Sequence, residues 1–398
     1  MRTLGQIAFF AIRYTNHTIP VPACLRTTRA HTYTWADALL AQHRLWGMKP
    51  VVNRSSRKQY VMPEKPTKRR PYGTIGQELN RPECALWHPS GLVIVPSWQG
   101  NGGISLVNAQ NRTRHILSNG PITLRPNGIA LEHGGTVLLA HMGDTQGGIY
   151  RLHADGSTDA LVMTVNGDPM PPTNFVVKDA HDRLWITVST RKTPRALDYR
   201  SDAHSGFVAV AEPGSSDARI VADNLGYTNE CVIDESRGHV YVNETFGRRL
   251  TRFNLHERGG AVSLNKPQVI AQFDKGTYPD GLAMDNNGGL WVTSIVSNRI
   301  IHIDTHNNQN IVLEDSDEAH LDIVEQAYAS NSLGRKHLDN VMSQQLKNIS
   351  NAAFGGPDNQ RLYLGNLLGS DIPFVDVEAS GAAMVHWEAG LGPLQEYV

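Results

Sequence analysis

The chain has 398 residues, 37 Lys and Arg against 38 Asp and Glu, and a pI near 7.0, which excludes the basic field that nucleic-acid binding requires. Hydrophobic residues make up 40 % and charged residues 19 %, with 36 Gly and 21 Pro, a composition that argues against a helical or disordered chain and for a turn-rich β-protein. No apolar run reaches the length of a membrane span, and Cys24, Cys84 and Cys231 form neither a disulfide framework nor a C-x-x-C metal site.

The charge is unevenly spread. Residues 1–75 hold 13 of the Lys and Arg and 2 of the Asp and Glu, leaving 24 against 36 in the remainder. This segment reads as a basic N-terminal extension, and residues 76–398 as the folded domain. Through residue 36 it carries four Arg and no acid. A divergent extension on a soluble, cytoplasmic protein is the expectation, with a targeting segment as the alternative. Thr34 is a candidate N-cap for a helix running to Trp46, and residues 51–73 are polar, basic and interrupted by Pro, as a linker would be.

A repeated unit follows. RPECALWHPSGLVIV (81–95), RPNGIALEHGGTVLLA (125–140), TNFVVKDAHDRLWIT (173–187), TNECVIDESRGHVYV (228–242), YPDGLAMDNNGGLWV (278–292) and SNAAFGGPDNQRLYLG (350–365) share one pattern. A carboxylate or amide leads, an apolar run follows, then a turn and a second apolar run. The leading residues are Glu83, Asn127, Asn174, Asn229, Asp280 and Asn351, and five residues on four units carry an acid, Glu132, Asp179, Asp234 or Asp285. Intervals of 44, 47, 55, 51 and 71 residues, each with room for several strands, predict an all-β, six-bladed β-propeller. The first run of each unit is nearly all apolar and reads as the innermost strand, while runs such as RIIHID (299–304) alternate and read as outer strands. In a six-fold ring Cys84 and Cys231 belong to opposite blades, so free, buried thiols are expected.

The long fifth interval contains residues 315–348, the one strongly helical stretch of the repeat region. Leu321, Val324 and Tyr328 give one apolar face, and Leu338, Val341, Met342 and Leu346 give a second. The reading is a helix pair inserted between blades five and six, either packed on the propeller edge or covering one face of the ring.

Six units that place an oxygen-bearing side chain at one repeat position put those oxygens around the axis. Glu83, Asn174, Asn229 and Asp280 would supply two carboxylates and two amide oxygens from four blades, a set suited to one hard divalent cation. Ca2+ is the first choice, with Zn2+, Mg2+ or Mn2+ as alternatives; no His or Cys pair has the spacing of a structural zinc site.

PNGIAL, TNECVID, PDGLAMDNNGGLWV and PECALWHPSG resemble the senescence marker protein / gluconolactonase / luciferin-regenerating enzyme family, over roughly residues 78–390. The resemblance implies a six-bladed propeller with a divalent cation in its channel, held by Glu83, Asn174, Asn229 and Asp280. It also implies a hydrolase of a lactone or related ester acting on a small molecule. The cation would polarise the carbonyl and lower the pKa of a bound water, with Asp280 as ligand and general base. Asn127 and Asn174 would hold substrate oxygens, and His386 is a candidate for proton transfer.

Two positions depart from the family pattern. Asn174 is followed by Phe175, where an Asp is common, and Asn229 by Glu230, where a Gly is common. Phe175 is expected at the channel mouth, favouring an apolar lactone or ester over a sugar lactone. Phosphotriester hydrolysis, and a non-enzymatic ligand-binding propeller with a structural cation, are the competing readings.

Overall fold

The computed structural model describes residues 73–398. They form six sheets in a ring, blades 1 to 6 in chain order, each with four antiparallel strands, and blade 3 gains Thr164–Val165, parallel to its outer strand, and Asp168–Pro169. Blade 1 is built from Leu86–Trp87, Val93–Ser97, Gly103–Val107 and Thr113–Leu117. Blade 2 runs from Pro126–Leu131 to Thr158–Val162, blade 3 from Phe175–Lys178 to Asp217–Leu225, and blade 4 from Thr228–Asp234 to Ala261–Gln272. Blade 5 runs from Tyr278–Met284 to Gln309–Glu314. Blade 6 has Ile349–Gly355, Arg361–Asn366 and Ile372–Asp376, and takes its outermost strand, Gly73–Ile75, from the start of the described chain. Residues 73–75, read from sequence as the end of the basic extension, thus close the ring. The rest of the basic extension, with the Thr34–Trp46 helix and Cys24, lies outside the described residues.

The apolar pattern explains why the blades stand face to face. Strand side chains alternate between two faces, so each strand feeds two different interfaces. In Leu290–Ile295, Leu290 and Val292 pack with Tyr241 and Leu250 of blade 4, whereas Trp291 packs with Phe354 and Leu362 of blade 6. The same division recurs around the ring, giving a core between every neighbouring pair of blades. Inner strands are covered on both faces, as in the wholly buried Pro126–Leu131; the outer strand Ala261–Gln272 is mostly exposed.

Two of the four acids five residues beyond the leading positions, Asp179 and Asp285, fix the turns of their units in one way. Asp285 accepts from the amides of Asn287 and Gly289 and from Trp291 Nε1, all at 2.9 Å. Asp179 does the same for His181, Arg183 and Trp185. Each carboxylate therefore satisfies turn donors and pins the indole of the second strand.

Helix α1 (Glu318–Ala329) begins at Asp317, whose carboxylate accepts from the His320 amide at 2.7 Å, and buries Leu321 and Val324 as expected. The second helix is shorter than its pattern suggested. Helix α2 covers only Arg335–Asp339, and Met342, placed on its apolar face by periodicity, is 62 % exposed. The Asp315 carboxylate accepts from the amides of Gln344, Gln345 and Leu346, holding that backbone out of a helix. The insertion packs with Tyr199, Tyr227, Phe246 and Tyr278, from the blade 3 to blade 5 side of one face. Among the described residues no helix is long and apolar enough to cross a membrane.

Candidate active site at the channel mouth

Glu83, Asn127, Asn174, Asn229 and Asp280 line one pocket on the ring axis, and all five are buried. Local irregularity aims them there. Strand pairing slips between Pro126 and Ile129, between Thr228 and Cys231, and between Pro279 and Leu282, so Asn127, Asn229 and Asp280 sit in bulges that turn their side chains inward. Close approach of neighbouring inner strands excludes a side chain at two of the next positions. A Cβ on Gly281 would lie 2.4 Å from Asn351 Cα, and one on Gly128 would lie 2.7 Å from Phe175 Cα.

The amides form a directed chain. Asn127 Nδ2 donates to Glu83 Oε1 at 2.6 Å and to Asn174 Oδ1 at 3.1 Å. Asn174 Nδ2 donates to Asn229 Oδ1 at 2.6 Å, and Asn229 Nδ2 to Thr245 Oγ1 at 3.1 Å. Asp280 Oδ1 and Asn127 Oδ1 are buried with no hydrogen-bond partner among the described residues. Burial pushes the Glu83 carboxyl up to about 7. Burial, then the like charges of Glu83 and Glu230, pushes Asp280 well above the usual carboxylate range.

These residues fit a divalent cation. Burial makes two carboxylates resist ionisation despite the arginines nearby, and one has an oxygen with nothing to bind among the described residues. Among the described residues no three His, Cys, Asp or Glu side chains gather as a metal-binding group, so an ion here must draw on the amides of Asn174 and Asn229. Asn174 Oδ1 already accepts from Asn127 and, at 3.3 Å, from Arg195 Nη2; it would have to share or turn.

The remaining walls were not foreseen. Tyr199, Tyr227, Phe246, Ile295, Leu338 and Leu367 make one side largely apolar and aromatic, and Arg81, Arg195 and Arg335 bring three guanidinium groups. Arg81 is pushed down to about 10, first by burial and then by Arg335 and Arg195. Arg335 and Leu338 belong to α2, so the insertion forms part of the pocket wall. The pocket is partly open to one side and has a volume of about 40 Å³, room for about three waters.

Asn351, Phe175 and His386 lie elsewhere. They line a larger cavity of about 390 Å³ with Cys84, Glu230 and Cys231. Phe175 follows Asn174 on an extended segment and so faces the other way; it does not line the pocket of the leading residues. His386 Nε2 lies 2.9 Å from the Trp87 carbonyl, which can only accept, so that nitrogen carries the proton. Burial pushes the imidazole down to about 4, and the ring is a neutral packing element remote from Asp280. Glu230 accepts from the Leu282 amide at 2.8 Å and from Asn351 Nδ2 at 2.9 Å, and burial pushes it up to about 8. Cys84 and Cys231 are free and buried.

Comparison with known proteins agrees with this architecture. A Bacillus subtilis (strain 168) protein named "Putative sugar lactone lactonase YvrE" is 26 % identical over 189 residues, covering 47 % of this chain and 51 % of that protein. The chain thus spans about half the length of that curated relative. Among solved structures, a luciferin-regenerating enzyme superposes with a TM-score of 0.57 at 16 % identity, covering 78 % of this chain and 95 % of that one. A calcium-binding protein, regucalcin, from Agrobacterium tumefaciens str. C58 gives 0.55 at 15 % identity, with 79 % and 96 % covered. A Xanthomonas campestris gluconolactonase gives 0.53 at 19 % identity, with 75 % and 88 % covered. The model of the SMP-30/Gluconolactonase/LRE-like region matches residues 81–313, more than half of the chain, and the protein belongs to that family.

Proposed function

We propose that this protein hydrolyses a lactone or related ester with the help of one divalent cation, Ca2+ in the first instance, held by Glu83, Asn174, Asn229 and Asp280. The observation that carries this reading is the pair of buried carboxylates, one with an orphaned oxygen, inside a ring of amides. The names of the relatives, a sugar lactone lactonase, a gluconolactonase and a calcium-binding regucalcin, favour it over phosphotriester hydrolysis and over a purely structural cation.

When bound, the cation would polarise the ester carbonyl and acidify a water. The chain's own groups do the rest. With the cation's charge beside it Asp280 would ionise, and its desolvated carboxylate would take a proton from the attacking water. Asn127 Oδ1, also unpartnered, accepts from a substrate hydroxyl or from that water, while Asn127 Nδ2 fixes Glu83 in place. An apolar substrate flank is still favoured, but Phe246, Ile295 and Leu338 supply the surface, in place of Phe175. Arg335 and Leu338 of α2 stand in the pocket wall, so the insertion forms one side of the substrate's path.

The test is turnover of a lactone, aryl-ester and phosphotriester panel by the full chain, with and without Ca2+. Lactone or aryl-ester hydrolysis that chelator abolishes and Ca2+ restores supports the proposal. Phosphotriester turnover alone, or a Ca2+-dependent rise in Tm with no turnover, would replace it.

A further inference from the structure

Three guanidinium groups reach one pocket from unrelated parts of the chain: the segment before blade 1, a 3-10 turn in blade 3, and α2 of the insertion. None is neutralised by a carboxylate inside the pocket through a hydrogen bond among the described residues. Arg195 donates Nε to the Tyr227 hydroxyl at 2.7 Å and Nη2 to Ser189 Oγ at 3.1 Å and Asn174 Oδ1 at 3.3 Å, all uncharged. Arg81 stacks 4.4 Å from the Trp98 ring centroid, and its buried Nε has no partner among the described residues. Arg335 has an ion pair with Asp339, at 2.8 Å, but Asp339 stands outside the pocket.

On the pocket walls, three arginines face two carboxylates, Glu83 and Asp280. Asp339 offsets Arg335 from outside, and a divalent cation on those carboxylates would then leave the pocket with an excess of positive charge. Bracing of the insertion accounts for Arg335 and a tyrosine contact accounts for Arg195, but neither accounts for Arg81, which has a stacking face and no acceptor among the described residues. Guanidinium groups gathered around a small space suit a planar anion that accepts from more than one of them.

We infer that the pocket receives a carboxylate between Arg81, Arg195 and Arg335, so that the substrate is a lactone bearing a carboxylate group. The word lactone rests on the function proposed above; the anion site does not. Hydrolysis of such a substrate adds one water across the ring ester, breaks the acyl C–O bond, and yields a hydroxy-dicarboxylate and one proton. Phosphate shares the charge, and the pocket's small volume favours the flatter carboxylate.

The experiment uses the full chain with Ca2+, and compares 5-oxo-oxolane-2-carboxylate with its uncharged primary amide. The acid should have the higher kcat/KM, by roughly tenfold to a hundredfold, through KM. That ratio should fall toward one in Arg335→Gln, whose side chain is 43 % exposed and tolerates the change. In parallel, calorimetry measures binding of 2-hydroxyglutarate and of inorganic phosphate to wild type, Arg81→Gln and Arg335→Gln. If neither lactone turns over but 2-hydroxyglutarate binds and either replacement weakens it at least tenfold, the lactonase reading fails and the anion site stands. An amide that matches the acid, or 2-hydroxyglutarate binding that is absent or insensitive to both replacements, overturns the inference. Tighter binding of phosphate than of 2-hydroxyglutarate overturns the assignment to a carboxylate.

Discussion

Replacing Glu230 by Gln should stabilise the protein at neutral pH and destabilise it slightly in acid. The Glu230 carboxyl is 4 % exposed and pushed up to about 8 from an ordinary value of 4.5, chiefly by burial. A raised carboxyl favours folding below the unfolded value, and that contribution is lost as pH rises through the folded one. At pH 7.5 the folded chain keeps the proton that the unfolded chain has released, at a cost of about 4 kcal/mol; at pH 5 the cost is about 1 kcal/mol. Gln cannot titrate, but its NH2 faces one of the two donors that Glu230 accepts from, Leu282 N or Asn351 Nδ2, losing about 1 kcal/mol. The variant should therefore gain about 3 kcal/mol at pH 7.5 and be about level or slightly weaker at pH 5. Urea unfolding of both proteins in chelator, with ΔG and m at each pH, measures the difference. A ΔΔG that does not change between the two pH values would show that Glu230 is not held neutral, and the account of its burial would be wrong.

Asp280→Ala removes one of the two carboxylates of the pocket, and metal content by elemental analysis should fall from the single equivalent expected for wild type; unchanged content refutes the ligand assignment. Asp285→Ala strips the acceptor from Asn287 N, Gly289 N and Trp291 Nε1, and should cost about 2–4 kcal/mol in chemical denaturation with metal content intact. His386 is pushed down to about 4 from 6.5, so the unfolded chain takes up its proton first and stability falls as pH drops through that window, by about 3 kcal/mol. His386→Gln should flatten this acid limb in a pH series of Tm, and an unaltered limb would mean that the ring is solvated.

The ring was legible because repetition overcomes the weakness of each motif. A lone Asn or Asp before an apolar run is an ordinary turn, but six in register gave the blades, and five of them meet in one pocket. Phe175 was misplaced although the rule was available: adjacent residues of an extended strand face opposite ways, so a neighbour of an inward Asn174 cannot share its pocket. The second helix failed because apolar spacing at Leu338, Val341, Met342 and Leu346 says nothing of Asp315, about 30 residues earlier, which captures three amides. The arginines were invisible for a different reason. Arg195 and Arg335 come from segments outside the repeated pattern; the one hint was length, since the intervals that hold them, 55 and 71 residues, are the longest.

The clasp between Gly73–Ile75 and Ile372–Asp376 governs how this chain must be born. Gly73 pairs with Phe374, 301 positions later, so the earliest described strand waits through synthesis of almost the whole ring before it has a partner. Until then Ile372–Asp376 offers a bare row of backbone donors and acceptors beside the Arg361–Asn366 strand, an edge able to recruit a strand from another molecule. A three-residue clasp is short enough to dock late and to release without unravelling a blade. A chain trimmed after residue 75 would keep five complete blades and carry a sixth with an open flank, and its tendency to self-associate would report how well those three residues guard it.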